Sequence, residues 1–129
     1  MAYLLKICPD KIEVIVVGND HFNDVNKVPS SDEIKAIAQN YNVAEKCTFI
    51  PFIERENLSA LLNTTDVFIS TSISETFGIA LREAMMCGVP VISTKNGGAE
   101  DIVTKENGIL VNLKDYKSIA ENVVKIKNK

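Results

Sequence analysis

Short apolar runs alternate with amphipathic stretches along the whole chain. KIEVIVVG, Lys11 to Gly18, has the continuous apolar character of a buried strand closed by a glycine turn. In SSDEIKAIAQNYNV, residues Ile34, Ile37, Ala38 and Tyr41 fall on one helical face, and Ser31 can cap. KCTFIPF predicts a short strand, with Pro51 removing a donor near its end. ENLSALLNT predicts a short helix and DVFIST the next strand. Another helix lies within SETFGIALREAMMCGVP, stopped by Gly88 and Pro90. VPVIST reads as a strand, GGAEDIV as a turn and short helix, and GILVN as a strand. DYKSIAENVVKIKNK closes the chain as a helix, with Asp115 as cap and Ile119, Val123 and Ile126 at helical spacing.

Apolar strands alternating with helices predict β-α-β units, hence an α/β, Rossmann-like, three-layer domain with a mainly parallel sheet of about five strands. No linker or repeat divides residues 1–129, so a single domain is expected. At 129 residues such a chain buries roughly two-thirds of its unfolded surface, enough for one core. Ligands of parallel sheets bind at the C-terminal ends of strands. Functional residues are therefore expected in the loops after Gly18, Phe52, Ser70, Ser93 and Val111.

The longest of these junctions is STSISETFGIALREAM, in which Glu75 and Glu83 flank Phe77 and Gly78. Its helix is expected to begin between Thr76 and Gly78, with Thr76 as cap. The first N–H groups of a helix lack internal acceptors and carry partial positive charge, and a glycine lets a bulky anion approach them. That is the outline of a phosphate site. Glu83 lies five residues beyond Gly78, about 7–8 Å along the axis, which matches the reach from a nucleotide's phosphate to its ribose hydroxyls. Spacing alone leaves two readings open, one composite site or two solvated carboxylates.

Charge and cysteine content narrow the classes. A net charge of -3, with no basic block longer than two residues, gives no footprint for nucleic acid. Three cysteines and one histidine, without Cys-x-x-Cys, argue against a disulfide framework and a zinc site. A reducing, cytoplasmic setting is expected, since no apolar run could span a bilayer and the N-terminus lacks the form of a signal peptide. His21 reads as an exposed loop residue, Cys87 as a small buried one, and Met85 and Met86 as core filling. Arg82 reads as solvated or salt-bridged. Asn96, Gly97 and Gly98 form either a plain turn or part of a pocket, and Glu100 caps the helix that follows or reaches a ligand.

SETFGIALREAMMCGVPVISTKNGGAEDIV, followed by NGILV, resembles the nucleotide-binding half of the group 1 (glycogen-synthase-like) retaining glycosyltransferases of GT-B architecture. The likeness rests on Glu-x7-Glu around Phe-Gly, then Glu-Ala-Met, Cys-Gly-x-Pro-Val-Ile, Gly-Gly and Asn-Gly-Ile-Leu-Val. Upstream, IEVIVVG and CTFIPFIERENLSALLNTTDVFIS follow the family's strand-helix-strand order. The resemblance implies transfer of a sugar from a nucleotide diphosphate to an acceptor hydroxyl with retention, in polysaccharide or glycoconjugate synthesis. It assigns Glu83 to the ribose and the amides of Gly78 and Ile79 to the diphosphate, and counts Phe77 among the nucleotide- or donor-binding residues. Glu75 becomes the catalytic residue, contacting the donor sugar, with Gly97 and Gly98 lining its pocket and the backbone of Phe52 and Ile53 flanking the base. It implies no metal and no cofactor, the nucleotide sugar being a substrate.

Two departures accompany the likeness. The family carries an arginine and a lysine on the diphosphate, in the first strand and helix of this domain, whereas YLLKICPDKIEVIVVG resembles the end of that helix. The first strand, both cations and the acceptor-binding N-terminal domain are thus expected to be missing, making the chain an inactive fragment of an enzyme whose whole form could sit at a membrane surface. The strands near Val14 and Phe68 would then close on each other, self-associate with another molecule, or leave a defect. In addition, Gly18-Asn19-Asp20 replaces the more usual Gly-x-Gly. The rival reading is a non-catalytic Rossmann-like nucleotide-binding or regulatory module. A related epimerase or phosphorylase-like enzyme would call for extra histidines or a cofactor lysine, which the sequence lacks.

Overall fold

A computed structural model describes residues 1–9, 12–18 and 30–129. The chain divides into two compact units, Met1–Glu54 and Arg55–Lys129.

In the first unit, helix α1 (Ala2–Ile7) opens the chain, followed by β1 (Val14–Val17), α2 (Ser31–Asn40), a 3-10 turn (Ala44–Lys46) and β2 (Cys47–Ile50). The opening residues are helical and not a strand, as the resemblance implied. β1 and β2 pair in parallel from Val14–Cys47 to Val17–Ile50. β1 is not the buried strand its apolar run predicts, because burial alternates along it and Ile15 and Val17 are exposed. The cap of α2 is Ser30, one residue before the expected Ser31. Ser30 Oγ accepts from Glu33 N at 3.2 Å while Ser30 N donates to Glu33 Oε2 at 2.6 Å. This reciprocal capping box needs a glutamate three residues after the cap, a spacing that Ser30 has and Ser31 lacks. On the apolar face of α2 only Ala38 is buried, and Ile37 and Tyr41 are exposed.

The second unit contains α3 (Arg55–Asn63), β3 (Phe68–Ser70), α4 (Ile79–Met86), β4 (Val91–Thr94), β5 (Gly108–Val111) and α5 (Tyr116–Lys127). Its strands form one parallel sheet in the order β3-β4-β5. β4 lies in the centre, and all four of its residues are buried. Leu62, Leu81, Ala84, Val91 and Val103 make the heart of the core, joining α3 and α4 to the sheet. Burying a leucine or valine side chain contributes about 1.5–3 kcal/mol. Asp115 caps α5 as expected, accepting from Ser118 N at 3.1 Å and from Ser118 Oγ at 2.7 Å.

Several details differ from the sequence reading. The five strands form a two-stranded and a three-stranded sheet, with β1 and β3 as edge strands among the described residues. Met85 packs against the core, but Met86 is 87% exposed. One residue along a helix turns a side chain by about 100°, so neighbours do not share a face. GGAEDIV makes a single turn, closed by Val103 N to Ala99 O at 2.9 Å, and no helix.

Candidate functional site

The loop after β3 leads into α4 through Gly78, the N-cap, whose φ of 58° and ψ of 44° place it in the left-handed region. That conformation favours glycine. A Cβ there would also meet Ile102 Cδ1 at 3.0 Å. Thr76 therefore does not cap, and the helix begins at Ile79 without a side-chain cap bond. The N–H groups of its first turn have no intrahelical acceptor. Leu81 and Ala84 turn inward and anchor α4, while Phe77 and Ile79 are exposed.

Glu75 is fixed through its backbone. Its N–H donates to Asn96 O at 3.1 Å, and its carbonyl accepts from Gly98 N at 2.8 Å. The resulting isolated parallel bridge to Gly97 joins the loops after β3 and β4. Any Cβ at Gly98 would lie 2.8 Å from the carbonyl oxygens of Glu75 and Thr76, so the approach requires glycine. The half-buried Glu75 side chain folds back, its Oε1 accepting from Thr76 N at 2.9 Å and Phe77 N at 3.4 Å. Arg82 is exposed and its Nε donates to Phe77 O at 3.0 Å, tying the loop to the helix.

Glu83 projects from the second turn of α4 and is half-buried, with Oε1 3.3 Å from Arg55 Nη2. Arg55 was missed from the sequence. Its signal was weak, a single cation opening the helix that packs beside α4. Glu100 caps the turn before it, since Oε2 accepts from Asn96 N at 2.9 Å and Gly97 N at 2.8 Å. These bonds, the Gly97 one foremost, hold its carboxyl below the usual range. Ser70, Thr71, Ser72, Glu75, Gly78 and Asn96 line a concavity of about 220 Å³. Of the other candidates, Phe52 is exposed and Ile53 half-buried, both in the first unit. Asn19, Asp20 and His21 lie outside the described residues.

The sequence model of the family described as "Glycosyl transferases group 1" matches residues 2–129. This chain belongs to that family. The Glu75–Glu83 segment lies within that match. An uncharacterised glycosyltransferase of Methanocaldococcus jannaschii is 29% identical over 132 residues, covering 98% of this chain and 32% of the relative. Sucrose-phosphate synthase 4 of Arabidopsis thaliana is 33% identical over 127 residues, covering 88% and 12%. Anabaena HepE in complex with UDP-glucose has a TM-score of 0.80 at 26% identity, covering 96% of this chain and 33% of that one. The C-terminal domain of a group 1 glycosyltransferase from Francisella tularensis, LpcC, gives 0.75 at 28%, covering 99% and 66%. The α/β, Rossmann-like expectation is borne out by these GT-B-type neighbours. This family member spans about a third or less of the curated relatives it matches. No described helix is long and apolar enough to cross a membrane.

Proposed function

We propose that this chain is the donor-binding half of a retaining glycosyltransferase, taking a nucleotide-diphosphate sugar whose transfer to an acceptor hydroxyl needs a second domain. The observation that carries this reading is the convergence of Glu75, the uncapped start of α4 at Gly78, and Glu83 within one strand-loop-helix junction. In it, the diphosphate lies against the Gly78 and Ile79 amides, where N–H groups and helix dipole favour an anion. Glu83, one turn along, accepts the ribose hydroxyls, and charged hydrogen bonds of this kind are worth about 1.5–3 kcal/mol each. Glu75, with Gly97 and Gly98 beside it, faces the donor sugar. Acceleration in the whole enzyme would come mainly from electrostatic stabilisation at the leaving diphosphate and beneath the sugar ring. HepE was crystallised with UDP-glucose, a ligand of the class proposed here.

Calorimetry of Glu83→Ala and Glu75→Ala tests the assignment. Nucleotide binding is expected to weaken more in Glu83→Ala, and the reverse order overturns the roles. The isolated chain is expected to bind nucleotide weakly and to show no transferase turnover.

A further inference from the structure

Glu100 stands outside the Glu-x7-Glu pattern, yet both backbone bonds between Glu75 and the loop after β4 run to the turn that Glu100 holds. One carboxylate oxygen of Glu100 holds two successive backbone N–H groups, those of Asn96 and Gly97. Successive amides converging on one anion form a nest, and here the anion is built into the chain. Charge-assisted bonds of this type are the strong ones. On its other side, Asn96 Oδ1 accepts from the buried Ala99 N at 3.0 Å, pinning the turn from within. The turn so held presents Asn96 O to the Glu75 N–H and Gly98 N to the Glu75 carbonyl. No side chain intervenes, because Gly98 approaches too closely to tolerate one.

The geometry points to Glu100 as a positioning residue for the donor sugar. It clamps the Asn96–Gly98 turn, and the turn sets where Glu75 presents its carboxylate. Glu100 touches no ligand in this scheme and acts through the backbone alone. Without its carboxylate, the Asn96 and Gly97 amides lose their acceptor and the Glu75–Gly97 bridge loses its support. The ribose end at Glu83 has no such dependence, since its ion pair is with Arg55. This inference rests on the donor-binding reading of Glu75, and it separates the two ends of the ligand energetically.

The test uses the 129-residue chain with Glu100→Ala and Glu100→Gln, the latter keeping one oxygen acceptor for both amides. Without ligand, amide hydrogen exchange at Glu75 and Gly98, the two bridge donors, is expected to accelerate tenfold or more in Glu100→Ala, with most protection recovered in Glu100→Gln. Unchanged exchange at both positions overturns the clamp. In calorimetry, UDP, GDP and ADP are each compared with their glucose conjugates. Glu100→Ala is expected to keep nucleoside diphosphate affinity within twofold and to lose fivefold or more for the conjugate. Equal losses for both make Glu100 a merely structural residue and overturn the sugar-specific role. A wild-type chain that binds none of these ligands overturns the donor reading and the sugar role, while the exchange result still decides the clamp.

Discussion

Arg55 Nη2 stands 3.3 Å from Glu83 Oε1, the arginine side chain 85% exposed and the glutamate 23%. So exposed a cation contributes little to stability, at most about 1 kcal/mol. Its importance lies in occupying the carboxylate assigned to the ribose. Arg55→Ala is expected to leave the unfolding midpoint nearly unchanged and to raise nucleotide affinity by up to about fivefold, the factor equivalent to that energy. Titration calorimetry checks this, and a tenfold fall would show that Arg55 itself contacts the ligand.

Gly98→Ala should be far more disruptive. The added methyl would sit 2.8 Å from two carbonyl oxygens on the backbone of Glu75 and Thr76, which no flexible side chain can relieve. A loss of about 1–3 kcal/mol is expected, as for overpacking elsewhere in folded interiors. Urea denaturation measures it, and a neutral result would mean that the loops do not meet as described.

Ser30→Ala removes one partner of the capping box on α2. About 1 kcal/mol of stability should be lost, with Ser30→Gly less harmful than alanine. Thermal unfolding of the two variants gives the ranking.

Asp115 provides a pH test. Its hydrogen bonds with Ser118, the side-chain one first, hold its carboxyl below the ordinary value. A carboxyl depressed in the folded state contributes stability above its unfolded pKa and loses it as pH falls through the folded one. Asp115→Asn should therefore be less stable than the parent at neutral pH. The gap should close as pH drops below about 4, and a gap constant across that range would remove the charge from the account.

Element type was legible in the sequence because parallel strands and amphipathic helices leave different periods, and Asp115 was legible because a cap is local. The capping box of α2 is equally local, a Ser-x-x-Glu that starts at the first serine of the pair. What remained hidden depended on neighbours in space. Met86 follows Met85 in an apolar run, and only the rotation of α4 decides which one faces the core. Arg55 reaches Glu83 only because α3 and α4 are adjacent. Glu100 looked like a helix cap, but the backbone turned its carboxylate onto the two preceding amides. The half-exposed faces of Ile15 and Val17 could not be read from an apolar run, which carries no record of what covers it.

β3 ends at Ser70 and β4 at Thr94, yet beyond both Glu75 and Gly97 form one further parallel bridge. The Glu75 backbone is thus tied to the loop that leaves the buried central strand. A ligand arriving there meets a surface already arranged, and little conformational entropy is left to be lost on binding. On the donor-binding proposal, discrimination among sugars at Glu75 would follow from the shape of this bridged rim, with induced ordering contributing least.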